Sequence, residues 1–345
     1  MKFLKFILFP LVPVYLLTIK LRNLFFDKNL FKSKKVNAKI ISVGNITVGG
    51  SGKTPLVIYL AELLKKSGEK VGVLSRGYGR KGSGYKLVSD GNEIFTNVQD
   101  CGDEIYHTVI ECNVPAAVCE NRVKGSVKLI DQTGVNTIVL DDGFQHRWVK
   151  RDLDIAIIAQ RFLTADDFFI NNLLPTGDLR EPYSGLSRAD IVIINRKFAD
   201  EHEIPVKKKK YFENKKVFTA FYRAISFVDI VKKDEYKLKE FEGQKSLVVS
   251  GVANPISFLN VLSQNNVDIS NKIVFRDHKK YTLKEVQQIR KSFYATNSHS
   301  VVTTEKDAVK LMNFAKEFDD IDIFFLKIKL EMDDEKSFRK LLLDE

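Results

Sequence analysis

Val43-Gly44-Asn45-Ile46-Thr47-Val48-Gly49-Gly50-Ser51-Gly52-Lys53-Thr54-Pro55 is the stretch that decides the fold of this 345-residue chain. Before it, Lys39-Ile40-Ile41-Ser42-Val43 reads as a short buried strand; after it, Leu56, Val57, Leu60, Leu63 and Leu64 recur at helical spacing. Strand, glycine loop and helix in that order make a loop that cradles nucleotide phosphates. Gly49, Gly50 and Gly52, with Ser51 among them, let backbone N–H groups close on the phosphates. Lys53 reaches the β and γ oxygens, and the Thr54 hydroxyl is placed to ligate magnesium. Pro55 suits the first helical turn, where its missing donor is harmless. One position departs from the Gly-x-x-x-x-Gly-Lys-Ser/Thr form. Thr47 replaces the first glycine and tolerates a positive φ poorly, so the loop entrance is expected to follow a different path.

The rest of the chain carries strand-like runs at 71–74, 114–118, 137–140, 153–159 and 191–195, mostly separated by helix-length segments. The spacing predicts an α/β fold, a P-loop NTPase-like doubly wound sheet of mostly parallel strands. A lysine run, 207–210, reads as a solvated loop ahead of a strand at 217–222. A charged segment, 232–245, then gives way to a second α/β series. Its expected strands are 246–250, 272–275, 300–303 and 321–328, with helices at 255–262, at 283–293 and from 305 onward. The division expected is an anchoring segment over 1–35, a nucleotide-binding domain over 36–225 and a smaller α/β domain over 226–345 that contributes to the active site.

The net charge of +11 would suggest nucleic acid if it were spread over the surface. It is not spread: residues 1–35 hold eight Lys/Arg against Asp27 alone, which leaves only +4 for the remaining 310 residues. Beside that charge lie fourteen uncharged, mostly apolar residues, Phe6 to Ile19, interrupted by Pro10 and Pro13. About 20 are needed to span a bilayer. No small-residue cleavage site follows, and Lys20-Leu21-Arg22 stands where one would be expected, so an uncleaved interfacial helix is the reading. Its basic residues would be drawn to anionic headgroups on a cytoplasmic membrane face. Cys101, Cys112 and Cys119 are an odd count with no Cys-x-x-Cys pair, which points away from a disulfide framework or a zinc site.

Several further groups suit phosphoryl chemistry. Thr137-Ile138-Val139-Leu140-Asp141-Asp142 is an apolar strand ending in two carboxylates, a place for magnesium ligands beside a phosphate loop. Gly143-Phe144-Gln145-His146-Arg147 follows directly. Arg180 in Leu179-Arg180-Glu181-Pro182 is placed to neutralise a transferring phosphoryl group, with Glu181 assisting the metal. Ser75-Arg76-Gly77-Tyr78-Gly79-Arg80 is a flexible basic loop suited to an anionic substrate. Asp103 of Gly102-Asp103-Glu104 and His278 of Asp277-His278 are the residue types that would remove a proton from an acceptor hydroxyl. Asn195-Arg196-Lys197-Phe198 lacks the order of the guanine-reading Asn-Lys-x-Asp element, so ATP is the expected nucleotide.

Taken in order with Thr303-Thr304-Glu305-Lys306-Asp307-Ala308, these motifs resemble the tetraacyldisaccharide 4′-kinase family, also called the lipid A 4′-kinases, from about residue 40 to 310. The resemblance implies transfer of the γ-phosphoryl group of ATP, with Mg²⁺, to the 4′-hydroxyl of an acylated glucosamine disaccharide 1-phosphate. It places that reaction on the cytoplasmic face of a Gram-negative inner membrane, with lipids as partners and no nucleic acid. It also implies that Asp103 and His278 form the activating pair, and that Lys53, Thr54, Asp141, Asp142, Arg180 and Glu181 serve nucleotide, metal or phosphoryl transfer. Trp148, where the family commonly has a second arginine, Asp178 and Lys279 depart from the usual pattern. The competing reading is a membrane-associated ATPase switch of the partitioning-ATPase kind.

Overall fold

The computed structural model describes residues 7–252, 255–277 and 279–343. They form two units, Met1–Phe221 with Met332–Glu345, and Tyr222–Glu331. Residues 332–345 thus group with the first unit, whereas the sequence reading ran the smaller domain to residue 345.

The first unit is built on β1 (Lys39–Gly44), β2 (Val71–Ser75), β3 (Lys86–Asp90), β4 (Pro115–Val118), β5 (Thr137–Asp141), β6 (Leu153–Ala159), β7 (Ile191–Lys197) and the start of β8 (Lys216–Asp229). Their order across the sheet is β8-β7-β6-β1-β5-β2-β4-β3. Every pairing is parallel except that of β3 with β4. Strands covered on both faces need continuous apolar runs, and Ile40-Ile41 with Val43, Ile138-Val139-Leu140 and Ile155-Ala156-Ile157-Ile158 provide them, all at most 1% exposed. The sequence reading missed β3, a short half-polar edge strand whose antiparallel partner only the fold supplies. Because β1 lies between β5 and β6, the chain switches sides of the sheet there, and its carboxyl end opens the crevice where such folds bind ligands.

Helix α1 (Leu11–Asp27) packs one stripe against this unit and leaves the opposite stripe open. Val12, Tyr15 and Leu16 join a core cluster with Ile46, Phe162 and Leu179, and Phe26 is buried further along. Leu11, Val14, Leu17, Leu21 and Leu24 recur on the other stripe and are all at least 43% exposed. A water-soluble helix would place polar residues there. No helix among the described residues is long and apolar enough to cross a membrane.

Lys208, expected in a solvated loop, is buried instead. Its ammonium donates to the carbonyls of Phe162 and Leu163 (2.7 and 2.8 Å) and to Asn171 Oδ1 (2.8 Å). The two carbonyls belong to the last turn of α5 (Gln160–Thr164), and that of Phe162 also accepts from the Tyr183 hydroxyl (2.6 Å); α2, α3 and α4 are Lys53–Lys66, Asp103–Cys112 and Arg122–Thr133. Burial lowers the lysine's pKa to about 8. Lys208→Met removes three hydrogen bonds and takes from the Leu163 carbonyl its side-chain donor, while Tyr183 still reaches Phe162 O and Asn171 Oδ1, and is predicted to cost about 1–3 kcal/mol. Urea unfolding checks it: the midpoint should fall at unchanged slope, and an unmoved midpoint would refute the role.

The second unit contains β10 (Lys245–Ser250), α6 (Pro255–Gln264), β11 (Asp268–Val274), α7 (Leu283–Ala295), β12 (Ser300–Thr304), α8 (Glu305–Leu311) and β13 (Ile323–Met332), with β9 (Glu235–Lys237) paired to the end of β8. Strands β11, β10, β12 and β13 lie side by side, all parallel. β11 and β13 start or finish several residues away from the expected ranges, because their end residues are half-polar. Two carboxylates organise the strand ends. Asp307, 0% exposed, accepts from the Gly251 N–H (2.7 Å) and the Thr304 hydroxyl (2.8 Å). Glu285 accepts from Lys279 (2.7 Å) and from the N–H and hydroxyl of Thr282 (2.9 and 2.6 Å), closing a capping box at the start of α7.

Candidate active site

The phosphate loop leaves β1 at Gly44, whose missing side chain matters: a Cβ there would lie 2.5 Å from that of Phe144. That close approach presses the turn after β5 against the loop entrance. Thr47 takes no positive φ. It forms an antiparallel bridge with Leu179, flanked by Val48 N–H to Asp178 O (2.7 Å) and Arg180 N–H to Ile46 O (2.8 Å). An extended path at this position removes the need for glycine, and it brings Arg180 and Glu181 alongside the loop. Gly49, Gly50 and Gly52 do adopt left-handed conformations, at φ 65°, 55° and 99°. Gly52 caps α2, whose first turn carries Lys53, Thr54 and Pro55.

Buried amides brace this loop. Asn45 Nδ2 donates to Ser51 Oγ (2.8 Å) and Thr47 Oγ1 (3.3 Å), and Gln145 Nε2 donates to Asn45 O (2.8 Å). Asn195, considered above for base reading, donates to the Ser51 carbonyl (3.0 Å) from the end of β7. Sequence reasoning did not single out Asn45 or assign Asn195 this part, because a lone asparagine at a strand end carries no signal of its target.

The two aspartates after β5 diverge. Asp142 takes φ 53°, which turns the chain out of the strand line. Its carboxylate lies 3.4 Å from Lys53 Nζ and accepts from Arg180 NH1 at 2.9 and 3.0 Å. Burial alone would raise its pKa, but the two cations hold it below the usual carboxylate range. Asp141 stays inside, 1% exposed, with Ser75 Oγ at 3.4 Å from Oδ2 and no hydrogen-bond partner for Oδ1. Burial, with Glu104 and Asp142 nearby, pushes its pKa up to about 7. An oxygen so placed suits a cation.

The remaining expected residues sort clearly. Both oxygens of Glu181 are taken: Gln145 Nε2 (3.0 Å) and Arg188 NH2 (3.0 Å) on one, Arg188 NH1 (2.9 Å) and Asn23 Nδ2 (3.2 Å) on the other. Arg80, read as a contact for anionic charge, is 3% exposed and pairs with Glu120 at 2.6 Å. The loop that carries it is tied to the segment before Gly102 by Lys81 N–H to Gln99 O (2.8 Å). Asp103 and Glu104 form the first turn of α3, and Glu104 is close enough to act on Asp141. His278 lies outside the described residues; Asp277 and Lys279 flank it in the second unit. His146 follows Gln145 in the run after β5. Burial and the guanidiniums of Arg122, Arg22, Arg151 and Arg76 lower its pKa to about 4, and its buried Nε2 has no hydrogen-bond partner.

Helix α1 is fastened to this same region. Tyr15 Oη donates to Arg180 O (3.0 Å), Arg22 donates to Gln145 O, and Arg147 pairs with Asp27 (2.7 Å) while lying 5.0 Å from the Phe26 ring centroid.

A parallel sheet whose central strand enters a helix through a glycine loop, with a Lys–Asp–Arg cluster at its mouth, defines the P-loop class of nucleotide-binding α/β proteins. The family described as tetraacyldisaccharide-1-P 4′-kinase matches residues 4–345, and the chain belongs to it. Tetraacyldisaccharide 4′-kinase of Halothermothrix orenii is 37% identical, with 96% of this chain and 90% of the relative covered. That of Aquifex aeolicus is 31% identical over 97% of both. A crystal structure of the Aquifex aeolicus LpxK protein in complex with ATP superposes with a TM-score of 0.79 at 30% identity, covering 99% of each chain.

Proposed function

We propose that this chain is an ATP-dependent kinase of lipid A biosynthesis that phosphorylates the 4′-hydroxyl of a tetraacylated glucosamine disaccharide 1-phosphate. The observation that carries the reading is the meeting of Lys53, Asp142 and Arg180 at the phosphate loop. Loop amides from Gly49 to Gly52 hold the β and γ phosphates. Lys53 and Arg180, held ready by Asp142, offset the negative charge on the group in transfer. Asp103 and His278 act as the activating pair, with Asp103 taking the proton as the 4′-oxygen bonds to the γ-phosphorus and the bond to ADP breaks.

The donor set fits Mg²⁺. Asp141 has a buried oxygen lacking a partner, and Thr54 opens the adjacent helix. These two residues would hold the ion, which supplies charge neutralisation to the β and γ oxygens when bound. Glu181, once included in that set, is better placed as a brace between Arg188, Gln145 and α1. The apolar outer stripe of α1, with basic residues around it, would lie in the cytoplasmic leaflet of the inner membrane, where the acylated substrate resides. The domains proposed are the anchor, the nucleotide domain and the smaller domain bearing His278.

Incubation with γ-labelled ATP, Mg²⁺ and the acylated disaccharide 1-phosphate, followed by lipid separation, tests the function. Label should appear in a bis-phosphorylated lipid. Label found only as free phosphate would overturn the kinase in favour of an ATPase switch.

A further inference from the structure

We infer that Trp148, together with Phe25, Leu30 and Phe31, forms a second membrane-contacting corner that seats at the headgroup level of an anionic bilayer. The inference rests on the reading of α1 as an interfacial anchor.

Beyond Asp27 the chain reverses at Asn29, whose φ is 58°, and the Phe31 N–H returns to Phe25 O at 3.0 Å. The turn gathers four aromatic rings, mostly edge to face. Phe31 lies 5.3 Å from both Phe25 and Phe26, and Trp148 lies 5.0 Å from Phe26 and 5.1 Å from Phe31. Phe26 is the buried floor, whereas Phe25, Trp148 and Leu30 are 36%, 41% and 68% exposed. Phe25 follows Leu17, Leu21 and Leu24 on the open stripe of α1, so the apolar surface is continuous from the helix into the corner.

The charge around it selects the occupant. Lys28, Lys32, Lys34 and Lys35 are all exposed at the corner, and the one acid there, Asp27, is paired with Arg147. Lysine is depleted where protein partners bury a surface, while exposed aromatics rimmed by lysines suit the boundary of an anionic bilayer. An indole carries both an apolar ring and an N–H donor, which fits it to that depth. Trp148 directly follows Arg147, which is fixed to α1 through Asp27 and Phe26. A seated corner therefore sets where the run from Asp141 to Arg147 stands above the lipid.

Trp148 is the only tryptophan in the chain, so the unmodified full-length protein reports on itself. Emission is measured with vesicles of phosphatidylethanolamine and phosphatidylglycerol, alongside co-sedimentation. Bound protein should show a blue shift and stronger quenching by lipids brominated near the headgroup than near the chain end. Co-sedimentation with unmoved emission would overturn the corner and leave the anchor standing; no co-sedimentation would overturn both. Trp148→Ala should weaken vesicle binding by about tenfold, with turnover on detergent-dispersed substrate unchanged. Vesicle binding equal to that of the wild type would refute the inference.

Discussion

Replacing Asp103 with alanine is expected to lower lipid phosphorylation by roughly 100- to 10,000-fold, the contribution of a positioned base, while ATP affinity holds. The separation follows from placement. Asp103 opens α3, whereas the groups proposed to face the phosphates sit on the loop after β1, at the end of β5 and at Arg180. Nucleotide affinity measured by titration calorimetry and turnover measured with labelled ATP should therefore part company in this variant. Turnover near wild type would remove Asp103 from the proposed mechanism. Loss of ATP binding equal to the loss of turnover would make it a structural residue of the nucleotide site.

Asp141→Asn should be nearly as damaging to turnover, by about 100- to 1,000-fold, because it removes the buried anionic oxygen proposed to hold Mg²⁺. The same change should make the protein more stable. Asp141 has a folded-state pKa of about 7, above its ordinary value of 3.8, so its favourable contribution is complete only below the ordinary value and is lost as pH rises through about 7. At pH 8, without nucleotide or metal, the wild type bears a buried charge that asparagine does not, a difference on the order of 2–4 kcal/mol. Thermal unfolding should show the variant melting several degrees higher at pH 8 and the two proteins converging near pH 4. A variant less stable at pH 8 would show that Asp141 is held by favourable contacts and is not strained by burial. A loss of activity accompanied by a gain of stability is expected of a site residue.

Legibility depended on how local each signal was. The phosphate loop could be read because strand, glycines and Lys-Thr occupy consecutive positions whose backbone demands are local. Thr47 was recognised as a departure, but its reason lies 132 residues away in the bridge to Leu179. Glu181 and Arg80 show the opposite case. Motif position pointed to chemistry, yet Arg188, Gln145 and Asn23 occupy the carboxylate and Glu120 occupies the guanidinium. Lys208 was placed by composition in a solvated run, and three acceptors from α5 and Asn171 drew it inside.

The sequence by itself determined the class: apolar strand runs on a parallel sheet, a glycine loop feeding a helix, paired aspartates at a strand end, and an apolar segment beside basic residues. These follow from periodicity and from residue types whose conformational or chemical range is narrow. Only the tertiary structure decided which charged groups remain available. Asp141 keeps a buried oxygen without a partner, Asp142 gathers Lys53 and Arg180, and Glu181 is used up as a brace. Likewise only the fold showed that the inner stripe of α1 is fixed to the site while Leu17, Leu21, Leu24 and Trp148 are left open. The reason is physical. A side chain's charge is set by its type, but its availability is set by what burial and distant partners bring to it.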